Sequence, residues 1–167
     1  MRVLAIDVSL RSSGVAIVEA IGGKQRALYC GLIQNKSALA PSSCLVAIHD
    51  RVAELIQEHA PDCCALEAVI YVQSYKTAIA LGAARGAAIL AAAQRGLPIF
   101  EYAPKRIKQA TVGRGTADKG QVAFMVRALF GLTETPQNDE ADALAIGLTH
   151  LRAQETARLG LPMGGQI

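Results

Sequence analysis

Arg2-Val3-Leu4-Ala5-Ile6-Asp7-Val8 is an apolar run interrupted by one acid near its end. That is the pattern of a buried strand carrying its charge at the C-terminal end. Residues 9–14 read as a turn, and Val15-Ala16-Ile17-Val18 as the strand that returns. Gly22-Gly23 marks a second hairpin, because tight hairpin turns need a backbone that glycine adopts freely. A third strand follows near residues 27–33. The chain therefore opens as an antiparallel three-strand meander.

Outward from that meander the pattern changes. Leu45, Ile48, Val52, Leu55 and Ile56 repeat with helical spacing after a cap at Ser42 or Ser43, and Pro61-Asp62 ends the helix near His59. Residues 63–70 form a second buried strand with a single charge, Glu67. A helix followed by such a strand is a crossover into parallel pairing. Residues 76–95 form a long helix of small residues, suited either to core packing or to a contact between subunits. A strand at residues 98–102, a short helix from Pro104 through Lys108 and a helix from Thr116 or Asp118 to Gly131 come next. Asn138 or Asp139 then caps a last helix that carries Leu144, Ile146, Leu148 and Leu151. The fold class is α/β: a mixed five-stranded sheet, three antiparallel strands then parallel ones, with helices on both faces. One domain at residues 1–152 and a tail at 153–167 account for the 167 residues.

Composition narrows the function. Hydrophobic residues make up 51% and charged residues 19%, which excludes a disordered chain. The four cysteines, Cys30, Cys44, Cys63 and Cys64, show no zinc spacing and no disulfide framework, and they imply a reducing, cytoplasmic setting. No leader sequence fits before the strand at Arg2, and no apolar stretch reads as a membrane span. The net charge is +3. If four of the 14 acids gather at one site, 17 basic residues dominate the remaining surface, which suits a polyanionic ligand.

Four acids stand where a fold avoids charge. Asp7 ends the first strand, Glu67 interrupts the second buried strand, and Asp139 with Asp142 shares one face of the last helix. A buried unpaired acid costs several kcal/mol, so such a cluster calls for a cation. With no cysteine or histidine among them the donors are all oxygen, which favours Mg²⁺ or Mn²⁺ over zinc. Two chemistries fit: metal-dependent phosphodiester hydrolysis, and a nucleotide-binding ATPase with the same sheet order. Lys105, Arg106, Lys108 and Arg114, with Lys119 beyond them, form an acid-free basic run that suits a phosphate backbone. There is no P-loop and no dinucleotide fingerprint. His49, His59 and His150 have no partner at ligand spacing and read as surface or packing residues.

Ala65-Leu66-Glu67, Leu81-Gly82-Ala83-Ala84-Arg85-Gly86 and Phe100-Glu101-Tyr102 resemble the RuvC Holliday-junction resolvases, of RNase H-like fold. So do Ile107-Lys108-Gln109, Met125-Val126-Arg127 and Ala141-Asp142-Ala143-Leu144-Ala145-Ile146. The resemblance implies a homodimer that cuts two strands of a four-way DNA junction symmetrically, beside a branch-migration motor. It puts two Mg²⁺ per subunit, replaceable by Mn²⁺, on Asp7, Glu67, Asp139 and Asp142, and Lys108 and Lys119 near the scissile phosphate. Two departures stand out. Val8-Ser9 follows the first acid where the family usually has Pro-Gly. Ile70, with Tyr71 beside it, holds the place of the aromatic that enters the junction centre; Tyr75 is a further candidate. Other outcomes are a related nuclease on another branched or RNA-containing substrate, and a junction binder that does not cleave.

Overall fold

A computed structural model describes residues 1–72, 74–157, 160 and 165–167. Among the described residues, eleven elements follow one another: β1 (Arg2–Asp7), β2 (Ser12–Ile21), β3 (Lys24–Gln34), α1 (Pro41–His59), β4 (Cys63–Glu67), α2 (Tyr75–Ala93), β5 (Ile99–Tyr102), α3 (Pro104–Val112), α4 (Lys119–Phe130), α5 (Asn138–Ala157) and β6 (Gly165–Gln166). They build one sheet in the order β3-β2-β1-β4-β5-β6. The β1–β2 and β2–β3 pairs are antiparallel, and β1–β4 and β4–β5 are parallel. The meander and the crossover expected from the sequence are both present, with β1 at the centre. Beyond the five expected strands, β6 adds a short antiparallel edge to β5.

Strand periodicity sorts the core into two layers. Val3 and Ala5 of β1, Ala16 and Val18 of β2, and Cys63 and Ala65 of β4 pack against α5, with α3 and α4 beside it. Leu4, Ile6, Val15, Ile17, Cys64 and Leu66 face α1 and α2 on the other side. α5 lies so close to the sheet that a Cβ on Gly147 would come within 2.6 Å of the Val18 side chain.

Several boundaries differ from the sequence reading. Ala40, not Ser42 or Ser43, precedes α1, and Pro41 opens it because its fixed φ and missing N–H suit a first turn. Asp118 does cap α4, in a reciprocal capping box with Gln121. α5 continues past Leu151 to Ala157, with Ala153 buried against the same core. Pro162, Met163 and Gly164, placed in the tail from the sequence, lie outside the described residues. α2 is, contrary to expectation, long and apolar enough to cross a membrane, with mean hydropathy 1.3. Here it packs against α1 through Ala84, Ala88, Ala91 and Ala92, whose small side chains permit close approach.

Candidate active site

The parallel ladder between β1 and β4 runs in register through Ile6 and Leu66. One residue further on, each strand ends in an acid, Asp7 and Glu67. Alternation sends both side chains to the α5 face, following Val3 and Ala5 on one strand and Cys63 and Ala65 on the other. There they meet the first turns of α5. Asp7, Glu67, Lys108, Lys119 and Asp142 line one depression of about 360 Å³, with Pro104, Ile107, Val122 and Ile146 as its apolar walls.

Electrostatics show how closely the acids are gathered. Burial, then the charges of Asp142, Glu67 and Asp139, push the Asp7 carboxyl up to about 7. Burial and Asp142 raise Glu67, with Lys119 and Lys108 opposing. Burial also raises Asp142, offset by Lys119, whose Nζ lies 3.5 Å from Asp142 Oδ2. Among the described residues, no three Asp, Glu, His or Cys side chains form a compact group ready to hold an ion. The donors are nevertheless all carboxylate oxygens facing a shared, poorly solvated space, which fits a hard divalent cation and not a soft one.

Asp139 stands at the rim. It lines a neighbouring depression with Gln137, Asn138 and Ser12, and it accepts a 2.6 Å hydrogen bond from Ser12 Oγ. It therefore does not serve as the helix cap: the Gln137 carbonyl accepts the N–H of Ala141 and Glu140 reaches back to the Gln137 N–H. Ser12 opens β2 at the end of a turn knitted by hydroxyls. Ser9 Oγ donates to the Ser12 carbonyl, and Ser13 Oγ donates to the Ser9 carbonyl. These bonds shape the β1–β2 turn that Val8-Ser9 begins. Gly14, paired with Asp7 across the ladder, is where the start of α5 comes closest to the β2 backbone: an added Cβ would lie 1.8 Å from the Asp139 carbonyl oxygen.

The basic run divides. Lys108 and Lys119 reach the acid depression. Arg106 instead stacks over the Tyr102 ring at 5.3 Å and lines a groove with Gln109 and Arg152. Arg114 borders a separate hollow beside Phe124 and Met125, and Lys105 is exposed and packs over Gly115. Ile70 and Tyr71 are 71% and 83% exposed on the loop after β4. They line a cleft that also reaches Asp7, Glu67 and Arg85. Tyr75, at the start of α2, is exposed as well. His150 is buried: its ring bonds Tyr102 OH at 2.8 Å and meets Cys63 Sγ at 3.3 Å, so packing is its role.

A family model described as crossover junction endodeoxyribonuclease RuvC matches residues 3–150. The chain belongs to the RuvC family. It is 53% identical over 151 residues to the RuvC of Akkermansia muciniphila, covering 90% of each chain. It is 47% identical over 149 residues to that of Halorhodospira halophila, covering 89% of each. Thermus thermophilus RuvC, solved in complex with a Holliday junction substrate, superposes with a TM-score of 0.90 at 34% identity, covering 100% of this chain and 99% of that one. A yeast mitochondrial Holliday junction resolvase shares the fold, with a TM-score of 0.66 at 14% identity. Of the RuvC motifs seen in the sequence, those at residues 65–67, 107–109, 125–127 and 141–146 lie on β4, α3, α4 and α5, which line the depression, whereas those at 81–86 and 100–102 lie on α2 and β5. Ser12 carried no signal in the sequence that marked it as a neighbour of the site.

Proposed function

We propose that this RuvC protein resolves four-way DNA junctions by metal-dependent hydrolysis, with Asp7, Glu67, Asp139 and Asp142 holding the cation and Lys108 and Lys119 serving the phosphate. Junction-resolving endonuclease activity follows from family membership. The observation that supports the residue roles is the meeting of acids from β1, β4 and α5 in a depression that also holds both lysines. The same support favours Mg²⁺, with Mn²⁺ as a substitute and two ions per subunit.

The chain's own groups do the following. Asp7 and Glu67, fixed at adjacent strand ends, present oxygen donors that cannot leave the site without breaking the ladder. Asp142 adds a donor from α5, and Ser12 orients Asp139. A bound divalent cation lowers the pKa of the attacking water and stabilises the leaving oxygen. Lys119, exposed and only loosely paired with Asp142, is free to turn to a phosphate oxygen and offset the charge that develops there. Hydrolysis adds the water oxygen to phosphorus and breaks the bond to the 3′ oxygen.

The partner surfaces follow the same reading. Tyr75, Ile79, Gly82, Gly86 and Leu90 are all exposed and recur every three or four residues along α2. That apolar, small-residue stripe suits a second copy of the chain and supports a homodimer with paired cuts. Ile70 and Tyr71 are placed to meet unstacked bases at the junction centre. Lys105, Arg106 and Arg114 extend the positive surface for the arms. Work beside a branch-migration motor in the cytoplasm completes the proposal.

The deciding assay compares a four-way junction, a fork, an RNA–DNA hybrid and linear duplex at fixed salt, with Mg²⁺ and with chelator. Symmetric nicking of the junction alone, abolished by chelator and by Asp7→Asn with junction binding retained, is the expected result. Cleavage of the hybrid, or cleavage surviving in Asp7→Asn, overturns it.

A further inference from the structure

α2 contains two charged residues, and they are treated differently. Lys76 is exposed, whereas the Arg85 side chain is only 13% exposed, folded under the helix against the sheet. One of its nitrogens donates to the Glu67 carbonyl oxygen at 2.8 Å. The other binds the Glu101 carboxylate. Glu101 sits on β5 opposite Leu66, on the sheet face that α2 covers. A planar guanidinium held by two acceptors on neighbouring strands has little freedom left, and a lysine cannot reproduce that fork.

We propose that Arg85, braced by Glu101, is a positioning residue for the cleavage reaction, fixing the end of β4 and so the place of Glu67 relative to α2. The same brace fixes the start of the loop that carries Ile70 and Tyr71, since it holds the last strand residue before that loop. It also joins α2, the helix with the open apolar stripe, to an acid of the site. The inference rests on Glu67 being a metal-binding acid, as proposed above. A direct contact between Arg85 and DNA is the competing role. Its burial and its two protein partners oppose that role.

Glu101 makes the two roles separable, because a carboxylate has no reason to approach a phosphate. Arg85→Met, Arg85→Lys, Glu101→Gln and the double variant Arg85→Met with Glu101→Gln are compared with the unaltered protein. Single-turnover cleavage of saturating junction is measured across a Mn²⁺ titration, junction binding is measured in chelator, and the Mn²⁺-induced rise in Tm is measured without DNA. Removing a group that orients a metal ligand costs about 10–100-fold in affinity or rate. Arg85→Met and Glu101→Gln should each slow cleavage by about tenfold at the low end of that range, raise the Mn²⁺ requirement and shrink the Tm response. Binding should be retained in both, the double variant should be no worse than Arg85→Met, and Arg85→Lys should recover part of the rate. Loss of junction binding in Arg85→Met with Glu101→Gln unaffected overturns the proposal in favour of a DNA contact, as do unchanged rates throughout. If Arg85→Met does not fold, Glu101→Gln decides alone. Glu67→Gln in the same assay tests the metal site independently: full cleavage there defeats the ligand assignment whatever Arg85 does.

Discussion

Gly14 tolerates no side chain because the backbone of Asp139 occupies the space a Cβ would need. Gly14→Ala must push the start of α5 away from β2, at a cost of about 1–3 kcal/mol for overpacking. Cleavage should fall further than that loss explains, since Asp139 moves with the helix; urea unfolding and single-turnover rates measured together check this. Asp7 gives a second expectation. Its folded pKa of about 7 lies above the ordinary 3.8, so its share of stability is fully present below 3.8 and lost as pH rises through 7. Without divalent ions, Asp7→Asn should therefore be more stable to unfolding than the unaltered protein at pH 8, by on the order of 4 kcal/mol, and gain almost nothing at pH 4. Adding Mg²⁺ should narrow the gap at pH 8. The four acids were legible in the sequence because each breaks an apolar pattern or shares a helix face. Ser12 was not, since its meaning lies in a partner 127 positions away, and serines in turns are ordinary.

At the scale of elements, α2 shows how far a pattern reads. Its alanines and glycines announced a helix built for close approach, but left open whether the neighbour was core or another subunit. The structure gives Ala84, Ala88, Ala91 and Ala92 to α1 and leaves Ile79 and Leu90 exposed. Ile79→Glu places a charge in the open stripe. The expected outcome is a monomer by light scattering, with the two junction strands nicked independently; an unchanged dimer would move the interface elsewhere. The basic run was legible as charge and not as geometry. Lys108 and Arg106 are two residues apart on α3, so helical rotation sends one to the acids and the other over Tyr102. α5 hid its length for a different reason: of residues 152–157 only Ala153 is buried, so no apolar period carries the helix past Leu151.

For the whole molecule, the buried ring of His150 sets an acid limit. It packs against Phe100 and bonds Tyr102, with Cys63 and Gln154 at its other nitrogen, and burial holds its pKa down at about 4 against an ordinary 6.5. The unfolded chain takes up the proton first, so the stability His150 confers is present above pH 6.5 and drains as pH falls toward 4. The loss amounts to about 3 kcal/mol over that window. His150→Gln should flatten this part of the stability–pH curve measured by denaturant unfolding, and a curve of unchanged slope refutes the assignment. α5 also packs against the meander, so Asp139 and Asp142 join Asp7 across more than a hundred residues of chain. Contacts of such separation form late, after the loop-closure entropy of everything between has been overcome. Before α5 docks on the sheet, Asp7 and Glu67 stand without Asp139 and Asp142. Any change that undocks α5 thus splits the proposed metal site in two, whatever it leaves of the sheet.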